Sequence, residues 1–517
     1  MNSTTSMNRF SCLAICGLGL LQTLVAGINV PYYFQPAPFT RRDLCVTKVQ
    51  RELGPLLSKT SAIFGPSDAR YDNATERWDE FLTPDVEIVA RVGQESDVSI
   101  IVKYCNANSI DFMAVNRGHA ITSTISSFKG LQIDLGLLQA IDIQLDGKSA
   151  WLQGGTYGGL VVDYLWDKGY VATTGSCACI GLMGPGLGGG HGRYQGLYGL
   201  VSDNIISLNV VFADASAITV NSTSNPDLFW AMRGAGHNFG IVTSFQLQIH
   251  PRLVDTWHYH NYVWTQDKLE QVFEALNTFH GNGTTPVLMG SNAGQFAIVP
   301  NISETEAILI WGFGYAGPAA EAEKLLEPFN AIGAVSEESG DVPFPDIAHL
   351  QGTGLEDATC QDGSSYAGST LYSLVYNVTA ERQIYNLFNE KIALYPEFAA
   401  GASFLHEGYS DQAVVAVDPA SSAFPHRDEH HLLYFLLAMD KGSYSTDAAW
   451  QWAAEVRDIW AAGQPTRLPA TYANYALGSE SLESIYGDEP WRLERLRALK
   501  AKYDPDNRFR YYNPFVL

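Results

Sequence analysis

Gly175-Ser176-Cys177-Ala178-Cys179-Ile180-Gly181, running on through Gly184-Pro185-Gly186-Leu187-Gly188-Gly189-Gly190-His191-Gly192, is the stretch on which the reading of this chain turns. Glycine has no Cβ, so the backbone here can approach a ligand closely. The run contains a formal Gly-x-Gly-x-x-Gly at Gly184, Gly186 and Gly189. A dinucleotide-binding turn of that form needs a hydrophobic strand before it, a helix after it and an acidic residue about 20 positions on. Thr174 to Cys179 does not read as a strand, and Gly190 to Gly196 is too rich in glycine to open a helix. A Rossmann turn is set aside on those grounds. What remains is a thiol, Cys177, in a glycine-flanked loop. Fifty-eight residues earlier a second such loop, Asn116-Arg117-Gly118-His119-Ala120, carries an imidazole.

The two loops, in this order and at this spacing, resemble the two attachment points of a doubly bound flavin. That arrangement belongs to the berberine-bridge-enzyme-like branch of the FAD-linked oxidases, within the vanillyl-alcohol-oxidase (PCMH-type) superfamily. The resemblance covers roughly residues 40–517 and is strongest to the fungal members, many of which act in secondary metabolism. It implies a bicovalent FAD, with His119 on the 8α-methyl and Cys177 on C6. The family writes the second motif Gly-x-Cys-x-x-Val/Ile-Gly, matched here by Gly175, Cys177, Ile180 and Gly181. Plant relatives commonly have Thr where Cys179 stands, which leaves open which sulfur bonds the flavin. Backbone amides around Arg117, Gly118 and Ala120 can cradle a pyrophosphate. Gly181, Gly184, Gly240, Val242 and Asn474 join the expected cofactor-binding residues.

The same resemblance frames the search for a base. Plant members place a Glu shortly before a segment matched here by Phe424-Pro425-His426-Arg427. Counting back leads to Ala416, inside Ala413 to Val417, so that Glu is expected to be missing. Attention moves to Tyr472-Ala473-Asn474-Tyr475, which resembles the family's Tyr-x-Asn-Tyr. Tyr475 is then the expected catalytic base, provided something lowers its pKa; the competing reading is a packing residue beside the flavin. The family often has an Asp two residues later, where this chain has Leu477.

Composition agrees with a folded enzyme and narrows its partners. Of 517 residues, 46% are hydrophobic and 17% charged, which excludes a disordered chain. The length suggests more than one domain. A net charge of -23 argues against nucleic acid and anionic membranes as partners. Arg9, the apolar Phe10 to Val25 and the small residues Val25-Ala26-Gly27 read as a secretory signal; the alternative, a membrane anchor, needs a longer apolar run. Asn-x-Ser/Thr occurs at Asn73, Asn221, Asn282, Asn301 and Asn377, consistent with N-glycans on a secreted protein. Five cysteines lie beyond the signal, an odd number for an oxidising compartment. The family commonly bridges the segments holding Cys45 and Cys105, so that disulfide is expected. Cys179 and Cys360 are then paired or free.

The fold expected is α+β: a two-part FAD-binding domain of PCMH type, interrupted by a substrate domain with an antiparallel sheet and flanking helices. The divisions are 1–27 signal, 40–255 FAD-binding, 256–465 substrate-binding and 466–517 a berberine-like segment completing the FAD domain. Hydrophobic patterning predicts strands at 85–92, 112–116, 131–135, 150–153, 205–213, 307–314 and 432–439, and helices at 95–108, 156–168, 266–279 and 319–329. His258 and His260 share a strand face, and His426, His430 and His431 cluster, but no carboxylate stands at metal-motif spacing. They read as solvated or packing histidines, and no metal is expected. The implied reaction is a two-electron oxidation of a small organic substrate, with molecular oxygen as final acceptor. A sugar oxidase, a flavin dehydrogenase using another acceptor, and an inactive ligand-binding flavoprotein remain alternatives.

Overall fold

The computed structural model describes residues 44–439 and 446–515. The signal expected at 1–27 lies outside the described residues. Four sheets organise the described residues. The first holds β1 (Ala62–Phe64), β2 (Asp85–Arg91), β3 (Phe112–Val115) and β4 (Lys129–Asp134), ordered β1-β2-β4-β3. β2 and β3 both run parallel to β4. The crossover between β2 and β3 is the helix Glu95–Ala107, started by a capping box of Gln94 and Asp97. The second sheet is antiparallel: β5 (Ile141–Ile143), β6 (Ser149–Gln153), β8 (Ile205–Val211), β9 (Ala217–Asn221) and β10 (Ile241–Gln248), ordered β5-β6-β10-β8-β9. A short pair, β7 (Tyr170–Val171) and β11 (His250–Pro251), closes this region.

The fourth sheet is larger and wholly antiparallel. It comprises β12 (Trp257–Trp264), β13 (Met289–Val299), β14 (Ser303–Tyr315), β15 (Ser336–Val342), β16 (Ser365–Ser373), β17 (Ala402–Gly408) and β18 (His431–Met439). Their order is β15-β12-β14-β13-β17-β18-β16. Side chains alternate across a strand, and here the two sides have different partners. Phe404 on β17, Leu433, Phe435 and Leu437 on β18, and Ala367 and Leu371 on β16 pack in a core with the helices Leu269–His280, Val378–Leu394 and Thr446–Ala462. Leu405, Tyr434 and Tyr366 point the other way, toward Trp78, Ile121 and Tyr475. Glu407 has the parity of Leu405, and so faces that second side.

The chain then returns to where it began. Ala473, Ala476, Leu482, Ile485, Tyr486, Leu493, Leu496, Leu499 and Phe515 enter the core of the second sheet. A buried ion pair locks this return: Lys500 Nζ donates to Asp504 Oδ2 at 2.6 Å, Asn238 O at 2.8 Å and Phe509 O at 2.7 Å. Three acceptors satisfy all three ammonium donors. The predicted strands and helices appear within a few residues of their expected bounds. Among the described residues no helix is long and apolar enough to cross a membrane.

The cysteines correct one expectation. Cys45 and Cys105 are not bridged. Cys105 is fully buried in the core of the first sheet, beside Val49 and Leu53, while Cys45 precedes the helix Val46–Leu53 and faces solvent. The disulfide present is Cys179–Cys360, across a sequence separation of 181. Non-reducing peptide mapping is expected to recover the Cys179 and Cys360 peptides joined, with Cys45 and Cys105 alkylated after denaturation. Cys360→Ser is expected to cost about 2–5 kcal/mol of stability, the usual range for a native bridge.

Candidate active site

His119 follows β3 through a sharp turn. Gly118 sits at φ +72°, and a Cβ there would lie 3.2 Å from Glu76 O. Glycine meets both demands at no conformational cost. The imidazole packs beside Trp78, ring centroids 5.9 Å apart, and Trp78 in turn stacks on Tyr366 at 4.1 Å. Burial, reinforced by the Arg117 charge, lowers the His119 pKa to about 4. The ring is therefore neutral at physiological pH and keeps a nucleophilic lone pair. The His119 and Cys177 loops touch. Arg117 Nε donates to Cys179 O at 3.2 Å, and Asn116 Nδ2 donates to Thr156 O at 2.9 Å.

Cys177 is held on both flanks. Ser176 O accepts from Arg193 Nη1 at 2.7 Å and from Thr353 Oγ1 at 3.0 Å. Ala178 N–H donates to Thr353 O at 2.9 Å, and Ala178 O accepts from Gly159 N–H at 2.7 Å. Cys179 is committed to its disulfide with Cys360, so Cys177 is the sulfur of the motif left as a thiol. Burial, with the nearby Glu407 charge, pushes that thiol up to about 12, so it rests protonated.

Tyr475 stacks on Tyr434 with centroids 4.7 Å apart. Its hydroxyl donates to Glu407 Oε1 at 2.7 Å. The Tyr409 hydroxyl donates to Glu407 Oε2 at 2.8 Å and is itself met by Ser176 Oγ at 2.9 Å. This revises the expectation that a carboxylate is missing. The Ala416 region, reached by counting back, is the end of the short helix Gln412–Val415, whereas Glu407 on β17 faces Tyr475. Burial raises the Glu407 pKa, opposed by the two tyrosine hydroxyls and by Arg193. Burial, then the Glu407 charge, raises Tyr475 well above its usual value, the opposite of what a free phenolate base needs. The signal that could have found Glu407 is that it is the lone acid of its strand, Ala402-Ser-Phe-Leu-His-Glu407-Gly408.

The other expected cofactor residues divide into two groups. Gly184 and Gly175 face open space on the side a Cβ would occupy. Gly181 lies against Asn116, and the half-buried Ala120 follows His119 directly. Asn474 reaches back to Pro185 O at 3.0 Å and crowds Gly188, joining the C-terminal return to the glycine-rich run. Gly240 and Val242 have a packing explanation instead. A Cβ on Gly240 would meet Val210 Cγ1 at 2.5 Å, and Val242 is buried in the core of the second sheet. Arg427, from the Phe424–Arg427 segment, clamps Asp203 with two bonds of 2.6 and 2.7 Å and ties that segment to the glycine-rich region.

These residues fit a flavin dinucleotide. Asn116 Oδ1 in the His119 loop, Ser123 Oγ three residues past Ala120, and Asn474 Oδ1 are buried without a hydrogen-bond partner. Buried polar atoms of this kind demand a partner. A neutral imidazole and a free thiol stand on adjoining loops, and glycines leave backbone exposed between them. The histidine groups also gain partners. Glu323 Oε1 accepts from His258 and His260, both at 2.8 Å. His426 turns away to Ile485 O, while His430 meets Asp411.

Comparison with known proteins gives concordant findings. A family model described as an FAD binding domain matches residues 86–221, and one described as berberine and berberine like matches 471–514. The FAD-linked oxidoreductase OXR2 of Pyricularia oryzae is 53% identical over 99% of this chain and 100% of its own. Among solved structures, berberine-bridge-enzyme-like 1 of Physcomitrella patens superposes with a TM-score of 0.75 at 20% identity, over 90% of this chain and 99% of that one. Glucooligosaccharide oxidase from Acremonium strictum, described with a 6-S-cysteinyl, 8α-N1-histidyl FAD, superposes at 0.74 and 20% identity over the same shares. At these identities the structural likeness concerns the fold.

Proposed function

The chain belongs to the FAD-linked oxidoreductases of berberine-bridge-like type, and from that premise we propose an oxidase in which Tyr475 and Glu407 act together as the base. The observation that carries this reading is the 2.7 Å hydrogen bond from the Tyr475 hydroxyl to the Glu407 carboxylate. The substrate is a small organic molecule bearing an O–H, N–H or activated C–H, set against Tyr475. Its proton passes to the phenol oxygen as the tyrosine's own proton passes to Glu407 Oε1. No free phenolate forms, so the raised Tyr475 pKa does not obstruct the step. Tyr409 and Arg193 steady the carboxylate, and the stack on Tyr434 fixes the ring. Bound FAD supplies acceptance of a hydride and return of the electron pair to dioxygen as hydrogen peroxide. Glu407 gives up its proton in that return, so proton and hydride together account for both hydrogens of the peroxide.

His119 and Cys177 would hold the FAD through two covalent bonds. Support comes from the neutral imidazole, the disulfide that removes Cys179 from competition, and the bicovalent flavin of the Acremonium strictum relative in fold. Arg117, Gly118, Ala120, Gly181, Gly184 and Asn474 would line it, with Gly240 and Val242 supporting from the second sheet. The FAD domain would comprise 40–255 and 466–517, and the substrate domain 256–465. Secretion, N-glycans and a role in secondary metabolism complete the proposal. Exposure supports glycans at Asn73, Asn282 and Asn301 best; Asn377 caps a helix and Asn221 is half-buried.

Acid precipitation tests the covalent bonds. The purified protein should be yellow, and the colour should stay in the pellet. His119→Ala should keep flavin through one bond, and His119→Ala with Cys177→Ala should release it. Complete release from the wild type would overturn the covalent reading.

The pH dependence tests the base. A carboxylate accepts a proton only when ionised. Because the Glu407 pKa is raised, anaerobic flavin reduction should fall as pH drops through that raised value and plateau above it. Tyr475→Phe should keep the fold and the colour and slow reduction by roughly 10²–10⁴-fold, the size expected for loss of a general base. A Phe variant that reduces at the wild-type rate would leave Tyr475 a packing residue.

A further inference from the structure

The helix Leu269–His280 ends at Gly281, whose φ of +53° turns the chain back on itself. The return brings Thr285 Oγ1 to 2.6 Å from His280 Nδ1. One ring nitrogen of His280 is thereby satisfied. The other, Nε2, is buried and has no partner. Beside it stands Asp411, only 2% exposed, whose Oδ2 meets His430 Nδ1 at 2.5 Å. Its second oxygen, Oδ1, is buried and has no partner either. One ligand atom from each of His280, Asp411 and His430 lies within 4.8 Å of the other two. The His280 and His430 rings are 4.8 Å apart, tilted at 61°.

Two unsatisfied polar atoms buried in one cluster are costly, because each has lost its water without gaining a partner. They do not satisfy one another, since no hydrogen bond joins them. A cation between them would answer both at once. We infer that His280, Asp411 and His430 form a structural site for a divalent transition metal, with zinc the best match.

The donor set selects the metal. Two imidazole nitrogens and one carboxylate suit zinc, whereas calcium and magnesium favour all-oxygen shells. Ligand atoms at about 2.0–2.2 Å from a common zinc sit roughly 3.5 Å apart, so a modest closing of the present spacing brings all three onto one ion, with a water as the fourth ligand. The Thr285 hydroxyl plays the part of the outer partner that fixes a ligating ring. The His430 side chain, 9% exposed against 2% for Asp411, gives the ion its path. Gly283, at φ +89°, keeps that path narrow: a Cβ there would lie 2.5 Å from His430 Cε1.

The three ligands come from three segments, Asp411 and His430 standing 19 residues apart and His280 far before both. His280 ends a helix that covers the large sheet, His430 precedes β18, and Asp411 lies four residues beyond Glu407 on the same run. Zinc would join them and hold the segment Gly408 to Asp411, which carries Tyr409. In the other histidine group, His258 and His260 with Glu323, the carboxylate is already satisfied: Glu323 Oε1 accepts from both rings and Glu323 Oε2 from Asn330, so that only His260 Nε2 is left without a hydrogen-bond partner.

The test uses full-length protein purified without a histidine tag, stripped with a chelator and titrated with zinc chloride alone. Calorimetry and elemental analysis should give one zinc per chain. Zinc at 100 times its dissociation constant should raise the Tm by several degrees, from a ligand that binds the folded state. His430→Gln, at the more exposed position, should lose the zinc and the Tm shift, while His258→Gln keeps both. Wild-type protein that takes up no zinc and shows no Tm shift overturns the proposal without reference to any variant. Zinc retained in His430→Gln but lost in His258→Gln overturns it equally, by moving the ion to the other group.

Discussion

A carboxylate taken out of water needs donors aimed at both oxygens, and Glu407 receives one from each of two tyrosines. One hydroxyl comes from Tyr409, two residues on along the same chain, and the other from Tyr475, in the segment that returns after the large sheet is complete. This constraint joins the two halves of the molecule. The alternation of β17 sends Phe404 and His406 into the helix-covered core and Glu407 to the opposite side. The C-terminal segment must then return to that side for the charge to be satisfied. Lys500, buried on three acceptors, and Asn474, bonded to Pro185 O, hold it there.

The loops facing this pair are fixed with comparable economy. Arg193 and Thr353 meet at Ser176 O, and Ser176 Oγ meets the Tyr409 hydroxyl, so the Cys177 loop and the carboxylate share one hydrogen-bond network. The Cys179–Cys360 disulfide ties the same loop to the segment before β16. His119 is restrained by Trp78, whose indole N–H donates to Thr359 O one residue before Cys360. A rigid surround of this kind holds reacting groups in position, which is the protein's share of catalysis in a cofactor enzyme.

Much of this was legible in the sequence, for physical reasons. Apolar periodicity located the strands and helices because burial on one side imposes it. The two glycine-flanked motifs could be read because backbone approach to a ligand leaves glycine as its trace. Three features were hidden. Glu407 is visible as the lone acid of its strand, but its pairing with Tyr475 is not, because that depends on strand parity and on a chain return 68 residues later, not on local spacing. The disulfide was half visible: an odd cysteine count says that some thiol is left over, but Cys105 and Cys360 are both buried, and only the fold brings Cys360 to Cys179. The His280 group escaped notice because its carboxylate and its two imidazoles lie on three separate segments, at no motif spacing.

The central claim is that Tyr475 and Glu407 form one base and not two independent aids. A double-mutant cycle on anaerobic flavin reduction tests this most directly, comparing wild type, Tyr475→Phe, Glu407→Gln and the double variant. Residues that act as a unit lose their contribution once. The account predicts that each single change slows reduction by roughly 10²–10⁴-fold and that the double variant is little slower than the worse single one. Losses that multiply in the double variant would contradict it, because Tyr475 and Glu407 would then assist the reaction separately.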